Sequence, residues 1–278
     1  MDQPGYFARS ADGTGLVVRD SGRGHPIVVV HGGMGAAEHW DPVNILLARD
    51  YRILGLERRL YGRSGPPQSP HSMAREADDI AAVLEAIGEP AIVVGHSSGA
   101  VASLEAALLH PAHLAGLVLY EPPVQVGTSL GGDHQAAAEA ALAAGESDKA
   151  LYIFFHDIVG FDDGLIDRMR SPMWRGGWAF MQTVLPAQLE DNRAIRALPF
   201  GVARYAAIDV PALLLRGTQS PQHLQDRLAA VVAVLPENKV VDLPGEGHNA
   251  NMSSPAMVAD AIKGFAAMVF SDLRLVTA

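Results

Sequence analysis

One stretch constrains this chain more than any other: Ala91-Ile92-Val93-Val94 runs straight into Gly95-His96-Ser97-Ser98-Gly99 and then into the helical segment from Val101 to Leu109. A β-branched run, a glycine-flanked turn and a helix in immediate succession form a strand-turn-helix unit. Such a turn lifts the residue at its apex, Ser97, out of the sheet. It needs glycine on both flanks because a side chain there would collide with neighbouring backbone. Gly-x-Ser-x-Gly also occurs in ordinary loops; the flanking strand and helix distinguish this one.

The rest of the chain alternates in the same way. Short apolar runs at 16–19, 27–30, 51–56, 91–94, 117–120, 212–215 and 239–243 predict strands, most of them punctuated by Gly or Pro. Between them, Ile80, Val83, Leu84 and Ile87 recur at i, i+3, i+4 and i+7, with Gly88 as a stop. Leu224, Leu228, Val231, Val232 and Leu235 predict a second helix. Val258, Ile262, Phe265 and Val269 predict a third, opening with Ser254 as N-cap and Pro255 in the first turn. Strands alternating with helices imply the α/β class, a mostly parallel twisted sheet with helices on both faces. The rhythm breaks at about 124–210, where an Ala-rich stretch precedes Trp174, Trp178, Phe180 and Met181 without strand-like runs, so a helical insertion is expected there.

Composition removes several function classes. The formal charge is −10 and no Lys/Arg run stands out, which argues against nucleic acid as a partner. There is no cysteine, so disulfides, thiolate metal sites and a cysteine nucleophile are excluded. The histidines show no metal-ligand spacing such as His-Glu-x-x-His. No apolar run approaches the ~20 residues that span a bilayer, so no membrane partner is expected. The polar start, 1–14, lacks the features of a secretory signal, and a cytoplasmic location is expected.

Two further motifs join the turn at Ser97. His31-Gly32-Gly33 follows the strand at 27–30, and Gly245-Glu246-Gly247-His248 follows the strand at 239–243. With them the chain resembles the α/β-hydrolase superfamily from about Leu16 to Val269. The resemblance implies that fold, Ser97 as nucleophile and His248 as general base. It also implies an oxyanion hole from the backbone N–H groups of Gly33 and Ser98, with Met34 as the alternative first donor. His31 itself reads as structural. No metal or organic cofactor is implied. The insertion corresponds to the family's helical cap, giving a core of 1–123 and 211–278 and a cap of 124–210.

The chain departs from the commonest family pattern at the triad acid. Many members carry an aspartate after the strand equivalent to 212–215, but here the loop reads Gly217-Thr218-Gln219-Ser220-Pro221, and Ser220 in the usual slot cannot orient an imidazole as a carboxylate does. Glu121, directly after the strand at 117–120, is the substitute. It lies at the carboxyl edge of the sheet, where parallel folds assemble their sites. This resembles haloalkane dehalogenases and zearalenone-type lactonases, whose acid follows the strand after the nucleophile. Asp226 is the runner-up, expected within a helix, and Asp209 precedes its strand at the wrong end of the sheet. Glu57 replaces the aspartate of another family turn and reads as a turn organiser paired with a nearby arginine.

Trp174, Met34 and Trp178 are the expected substrate-lining residues, Trp174 foremost because it resembles a cap tryptophan of the lactonases. Aromatic residues at helical spacing are, however, more often core than pocket. The expected activity is hydrolysis of a carboxylic ester or lactone of a small, largely apolar molecule. Carbon-carbon bond hydrolysis, perhydrolysis and a hydrolase-derived ligand receptor are the alternatives.

Overall fold

The computed structural model describes residues 7–171 and 175–276. In chain order its strands are β1 (Ala8–Arg9), β2 (Gly15–Gly22), β3 (Pro26–Val30), β4 (Arg52–Glu57), β5 (Ala91–His96), β6 (Leu114–Tyr120), β7 (Ala212–Gly217) and β8 (Asn238–Leu243). Every strand expected from the apolar runs forms; β1, two residues long, is too short to show a pattern. They make one sheet in the order β1-β2-β4-β3-β5-β6-β7-β8. β1 and β2 run antiparallel at one edge, and the strands from β4 to β8 are parallel.

Both faces of this sheet are covered, which is why its central strands are continuously apolar rather than alternating. Helices α1 (Asp41–Leu47), α2 (Met73–Ile87) and α3 (Ser98–Leu109) come from the first half of the chain. On one face Val28, Val30, Leu54, Val93 and Leu117 pack against Ile80 and Leu84 of α2 and Val101 and Leu104 of α3. On the other, Ile27, Val29, Ile92 and Val94 meet Val43 and Leu47 of α1. Ser72 caps α2 by accepting the Arg75 N–H at 3.2 Å, and Gly88 ends it at φ 72°, where only glycine sits without strain.

Between β6 and β7 the chain is helical, as expected: α4 (His134–Ala143), α5 (Ser147–Ile153), α6 (Asp163–Arg170) and α7 (Arg175–Arg196), with a π-helical turn at Phe154–Val159. These helices share an apolar cluster of their own that includes Leu151, Phe155, Trp178, Leu185 and Leu189. After β7 come α8 (Gln222–Val232), then α9 (Ala250–Ser253) and α10 (Pro255–Val276), which lays Val258, Ile262, Phe265 and Val269 on the α1 face of the sheet. Ser254 precedes α10, but its hydroxyl donates to Glu246 rather than serving as the expected cap. Among the described residues no helix is long and apolar enough to cross a membrane.

The parallel register sets the site. His96 lies opposite Tyr120, Tyr120 opposite Leu215 and Gly217 opposite Leu243, so the loops leaving β5, β6, β7 and β8 emerge side by side. That edge carries the residues at 97, 121 and 248.

Candidate active site

Ser97 sits at the turn between β5 and α3 with φ 52° and ψ −125°, a strained conformation for a residue with a side chain. The flanking glycines are sterically required: a Cβ on Gly95 would stand 2.6 Å from Ala100 Cα, and one on Gly99 would stand 2.5 Å from the Val30 carbonyl oxygen. The Ser97 N–H donates to Tyr120 O at 2.9 Å, tying the turn to β6. Its hydroxyl makes no hydrogen bond among the described residues, and Ser97 is half-buried between two buried neighbours.

Glu121 leaves β6 at φ 46° and is fully buried. Its Oε1 accepts the Gly217 N–H at 2.7 Å, and its Oε2 lies 2.6 Å from His248 Nδ1. A sealed carboxylate is tolerable only when both oxygens are satisfied, and here one is held by backbone and the other by the imidazole. The competing carboxylates lie elsewhere. Asp226 is exposed on α8, accepting from Gln222 Nε2 at 2.8 Å, and Asp209 is exposed ahead of β7. Ser220, in the usual acid slot, is buried with no partner for its hydroxyl among the described residues.

Two residues that the sequence does not single out hold the His248 loop. His96 Nε2 donates to His248 O at 2.9 Å, while its ring stacks on Tyr120 with centroids 4.8 Å apart. The Tyr120 hydroxyl donates to Gly247 O and accepts the Ala250 N–H at 3.1 Å. Burial, aided by the nearby His248, pushes the His96 pKa well below the ordinary imidazole value, so this clamp is neutral. The only hint in the sequence is that His96 and Tyr120 end adjacent strands.

The loop after β3, expected to supply an oxyanion hole, differs from the first expectation. The Gly33 N–H donates to Ser98 Oγ at 3.0 Å and is therefore engaged, whereas the N–H groups of Met34 and Ser98 have no partner among the described residues. A side-chain rotamer at 98 causes this, and spacing does not reveal rotamers. Met34 adopts φ 53°, and its side chain packs against the helical insertion's apolar cluster. The loop runs directly against Ser97: a Cβ on Gly32 would stand 3.0 Å from Ser97 Cβ. His31 is structural, as expected. Its Nδ1 bonds Gly32 O at 2.7 Å, Nε2 faces the Arg58 N–H at 3.4 Å, and burial pushes its pKa down to about 3.

Ser98 Oγ also joins a buried charge cluster. It accepts from Arg58 Nη1 at 2.9 Å and donates to Asp191 Oδ2 on α7 at 2.8 Å. Arg58 bonds Glu76 at 3.1 Å and Asp191 at 2.9 Å, and all three side chains are fully buried. His71 Nε2 reaches Asp191 Oδ1 at 3.0 Å, and the Tyr61 hydroxyl reaches Oδ2 at 3.1 Å. Burial opposes the Asp191 anion, but Arg58 together with His71 and Ser98 outweighs it and holds the carboxyl well below the usual range. For His71, burial is likewise outweighed by Asp191 and Glu76, and its pKa is raised. Burial raises the Glu76 pKa against the pull of Arg58, so the firmest charge pair in the cluster is Arg58 with Asp191. His71, Glu76 and Asp191 could offer ligand atoms to a metal within 4.8 Å of one another, but Arg58 already supplies the cation that both carboxylates bind.

Glu57 organises its turn as expected, accepting the Arg63 N–H at 2.6 Å and pairing with the Arg63 guanidinium. Trp178, expected to line the pocket, sits instead in the apolar cluster of the insertion. Its Nε1–H donates to Asp148 at 2.9 Å and Arg170 stacks over its ring. Trp174 lies outside the described residues. His248 forms part of the wall of a cleft of about 290 Å³ that also includes Phe161, Asp162, Leu165, Gln219 and Asn249; neither Met34 nor Trp178 lines it.

Comparison with known proteins agrees with this architecture. The family profile described as Alpha/beta hydrolase family matches residues 27–261. The chain is 31% identical over 228 residues to a non-heme chloroperoxidase of Streptomyces lividans, covering 75% of this chain and 80% of that protein. Among solved structures, an alpha/beta hydrolase from Sphaerobacter thermophilus DSM 20745 superposes with TM-score 0.80 at 30% identity, covering 92% of this chain and 98% of the other. An esterase from Rhodococcus sp. ECU1013 superposes with TM-score 0.72 at 25% identity, covering 94% and 98%.

Proposed function

The chain belongs to the alpha/beta hydrolase family, and on that premise we propose that it is a serine hydrolase cleaving a carboxylic ester or lactone through an acyl-enzyme on Ser97. The observation that carries the proposal is the contact between His248 Nδ1 and the buried Glu121 Oε2 at 2.6 Å, with Glu121 anchored on the Gly217 N–H. A carboxylate on Nδ1 keeps the proton on that nitrogen and leaves Nε2 free to accept one.

In the proposed reaction the Ser97 hydroxyl adds to the substrate carbonyl as His248 Nε2 takes its proton. The N–H groups of Met34 and Ser98 receive the oxyanion, while Gly33 is occupied by Ser98 Oγ. The imidazolium formed is balanced by Glu121 and gives its proton to the departing alkoxide. Water, deprotonated by the same imidazole, then attacks the acyl-enzyme and regenerates the Ser97 hydroxyl. Support also comes from the strain at Ser97, which displays its hydroxyl, and from the likeness to the Rhodococcus esterase.

A second reading, favoured by the likeness to the Streptomyces chloroperoxidase, has hydrogen peroxide replacing water as acyl acceptor and releasing a peracid. The test is Ser97→Ala with p-nitrophenyl butyrate and a fluorophosphonate probe. Turnover and labelling are expected to vanish while the fold, read by circular dichroism, is kept. Unchanged turnover would refute the proposal, and peroxide-dependent peracid formation by the wild type would favour the second reading.

A further inference from the structure

Gln188 on α7 lies directly over the oxyanion loop. A Cβ built on Gly33 would stand 2.7 Å from Gln188 Cδ and closer still to Oε1, so the glycine is what admits this amide. Gln188 is only 6% exposed, yet its Oε1 has no hydrogen-bond partner among the described residues and is not sealed from solvent. An acceptor in such a place is normally satisfied, and one that is not points to a ligand.

Which end of the amide faces the loop is dictated from the far side of the insertion. Glu139, ion-paired with Arg193 at 2.8 Å, can only accept, and so can the Leu189 carbonyl. Both accept from Gln135 Nε2, at 2.6 and 3.1 Å. Gln135 Oε1 therefore faces Asn192 and accepts from its Nδ2 at 2.9 Å. Asn192 Oδ1 in turn accepts from Gln188 Nε2 at 2.9 Å. Each amide is fixed by the one before it, and the last presents its oxygen to the loop. Gly33 is the neighbour of Gly32, which abuts Ser97, so Oε1 lies on the same loop that borders the residue proposed to carry the acyl group.

Resting on the acyl-enzyme reading, we propose that Gln188 is a specificity-determining residue that accepts a hydrogen bond from an O–H or N–H group carried by the substrate next to its scissile carbonyl. Hydroxy- or amido-substituted acyl compounds are then preferred over plain alkyl ones of the same shape. An alkyl group would leave the buried Oε1 unsolvated, whereas a donor satisfies it.

The test compares isosteric pairs: methyl 2-hydroxybutanoate against methyl 2-methylbutanoate, and methyl N-acetylglycinate against methyl 4-oxopentanoate. The ratio of kcat/KM within each pair is measured for wild type and Gln188→Met. Intrinsic ester reactivity cancels in that comparison, and at least one pair is expected to lose a factor of roughly ten or more of its preference for the donor. Asn192→Leu, which frees the amide to turn while leaving Gln188 in place, is expected to lose part of the same preference. Ratios identical in wild type and Gln188→Met for both pairs would overturn the role. Fluorophosphonate labelling of Ser97 separates the levels: labelling with unmoved ratios removes Gln188 alone, whereas no labelling and no turnover in the wild type removes the hydrolase reading with it.

Discussion

Replacing Glu121 by Gln tests the site at its most constrained point, because the structure dictates how the new amide must sit. The Gly217 N–H, 2.7 Å from Oε1, is a backbone donor and can only be met by an oxygen. The amide oxygen is therefore held there, and the NH₂ group is turned toward His248 Nδ1, where Oε2 now lies at 2.6 Å. A donor in that place forces Nδ1 to accept and moves the imidazole proton to Nε2. The nitrogen that should take the Ser97 proton then already carries one. The equivalent aspartate-to-asparagine change in chymotrypsin-like proteases drops kcat about 10⁴-fold through the same wrong tautomer, or ~5.5 kcal/mol at 1.36 kcal/mol per factor of ten. A loss of about 10³ to 10⁴ in kcat is expected for Glu121→Gln, measured by p-nitrophenyl butyrate turnover with circular dichroism as the fold control. Asp226→Asn, on the exposed face of α8, is expected to leave the rate unchanged. A loss of under tenfold in Glu121→Gln, or a large loss confined to Asp226→Asn, would refute the reasoning.

Arg58→Met leaves Glu76 and Asp191 buried without their shared cation, and such a break costs about 3–5 kcal/mol; urea denaturation should show it as a lower midpoint at unchanged slope. Acidification should act chiefly through His31 and His96, both kept neutral by burial, with the His31 pKa down at about 3, against the smaller opposite contribution of His71, whose pKa is raised. In the unfolded chain the imidazoles of His31 and His96 protonate near ~6.5, so the stability they contribute is complete above that value and is lost as pH falls from there toward 3. Thermal melts between pH 7 and 4.5, above the main carboxylate range, should show a falling Tm, and a flat profile would contradict this account.

Much of the fold was legible because its sheet is buried on both faces. A strand such as β3 or β5 must then be apolar throughout, and the amphipathic spacing of α2 and α10 completes the alternation. The loops bearing Ser97, Glu121 and His248 were legible for a related reason: each directly follows a strand, and parallel strands end on one edge. What sequence could not supply were contacts between distant residues. Asp191 meets Ser98 across 93 positions and Tyr61 across 130, and no local periodicity encodes such pairs. The Gly33 N–H was expected in the oxyanion hole because spacing counts residues but does not show that the Ser98 hydroxyl turns back onto that loop. Trp178 misled for a simpler reason, since an aromatic residue on a helix packs against its neighbours wherever they leave room.

The Ser98 hydroxyl bears on how such a chain could be re-engineered or diversified. One oxygen is shared by the loop after β3 through Gly33, by the turn after β4 through Arg58 and by α7 through Asp191. The helical insertion is therefore not an interchangeable roof. A graft that brings in a foreign α7 without an acid at the place of Asp191 would leave Arg58 with Glu76 as its one carboxylate partner and release the Ser98 rotamer. The Gly33 amide would be set loose beside Ser97 before any new pocket was formed. Exchange of the insertion between relatives is expected to succeed only where the residues at 58, 98 and 191 travel as one inherited unit.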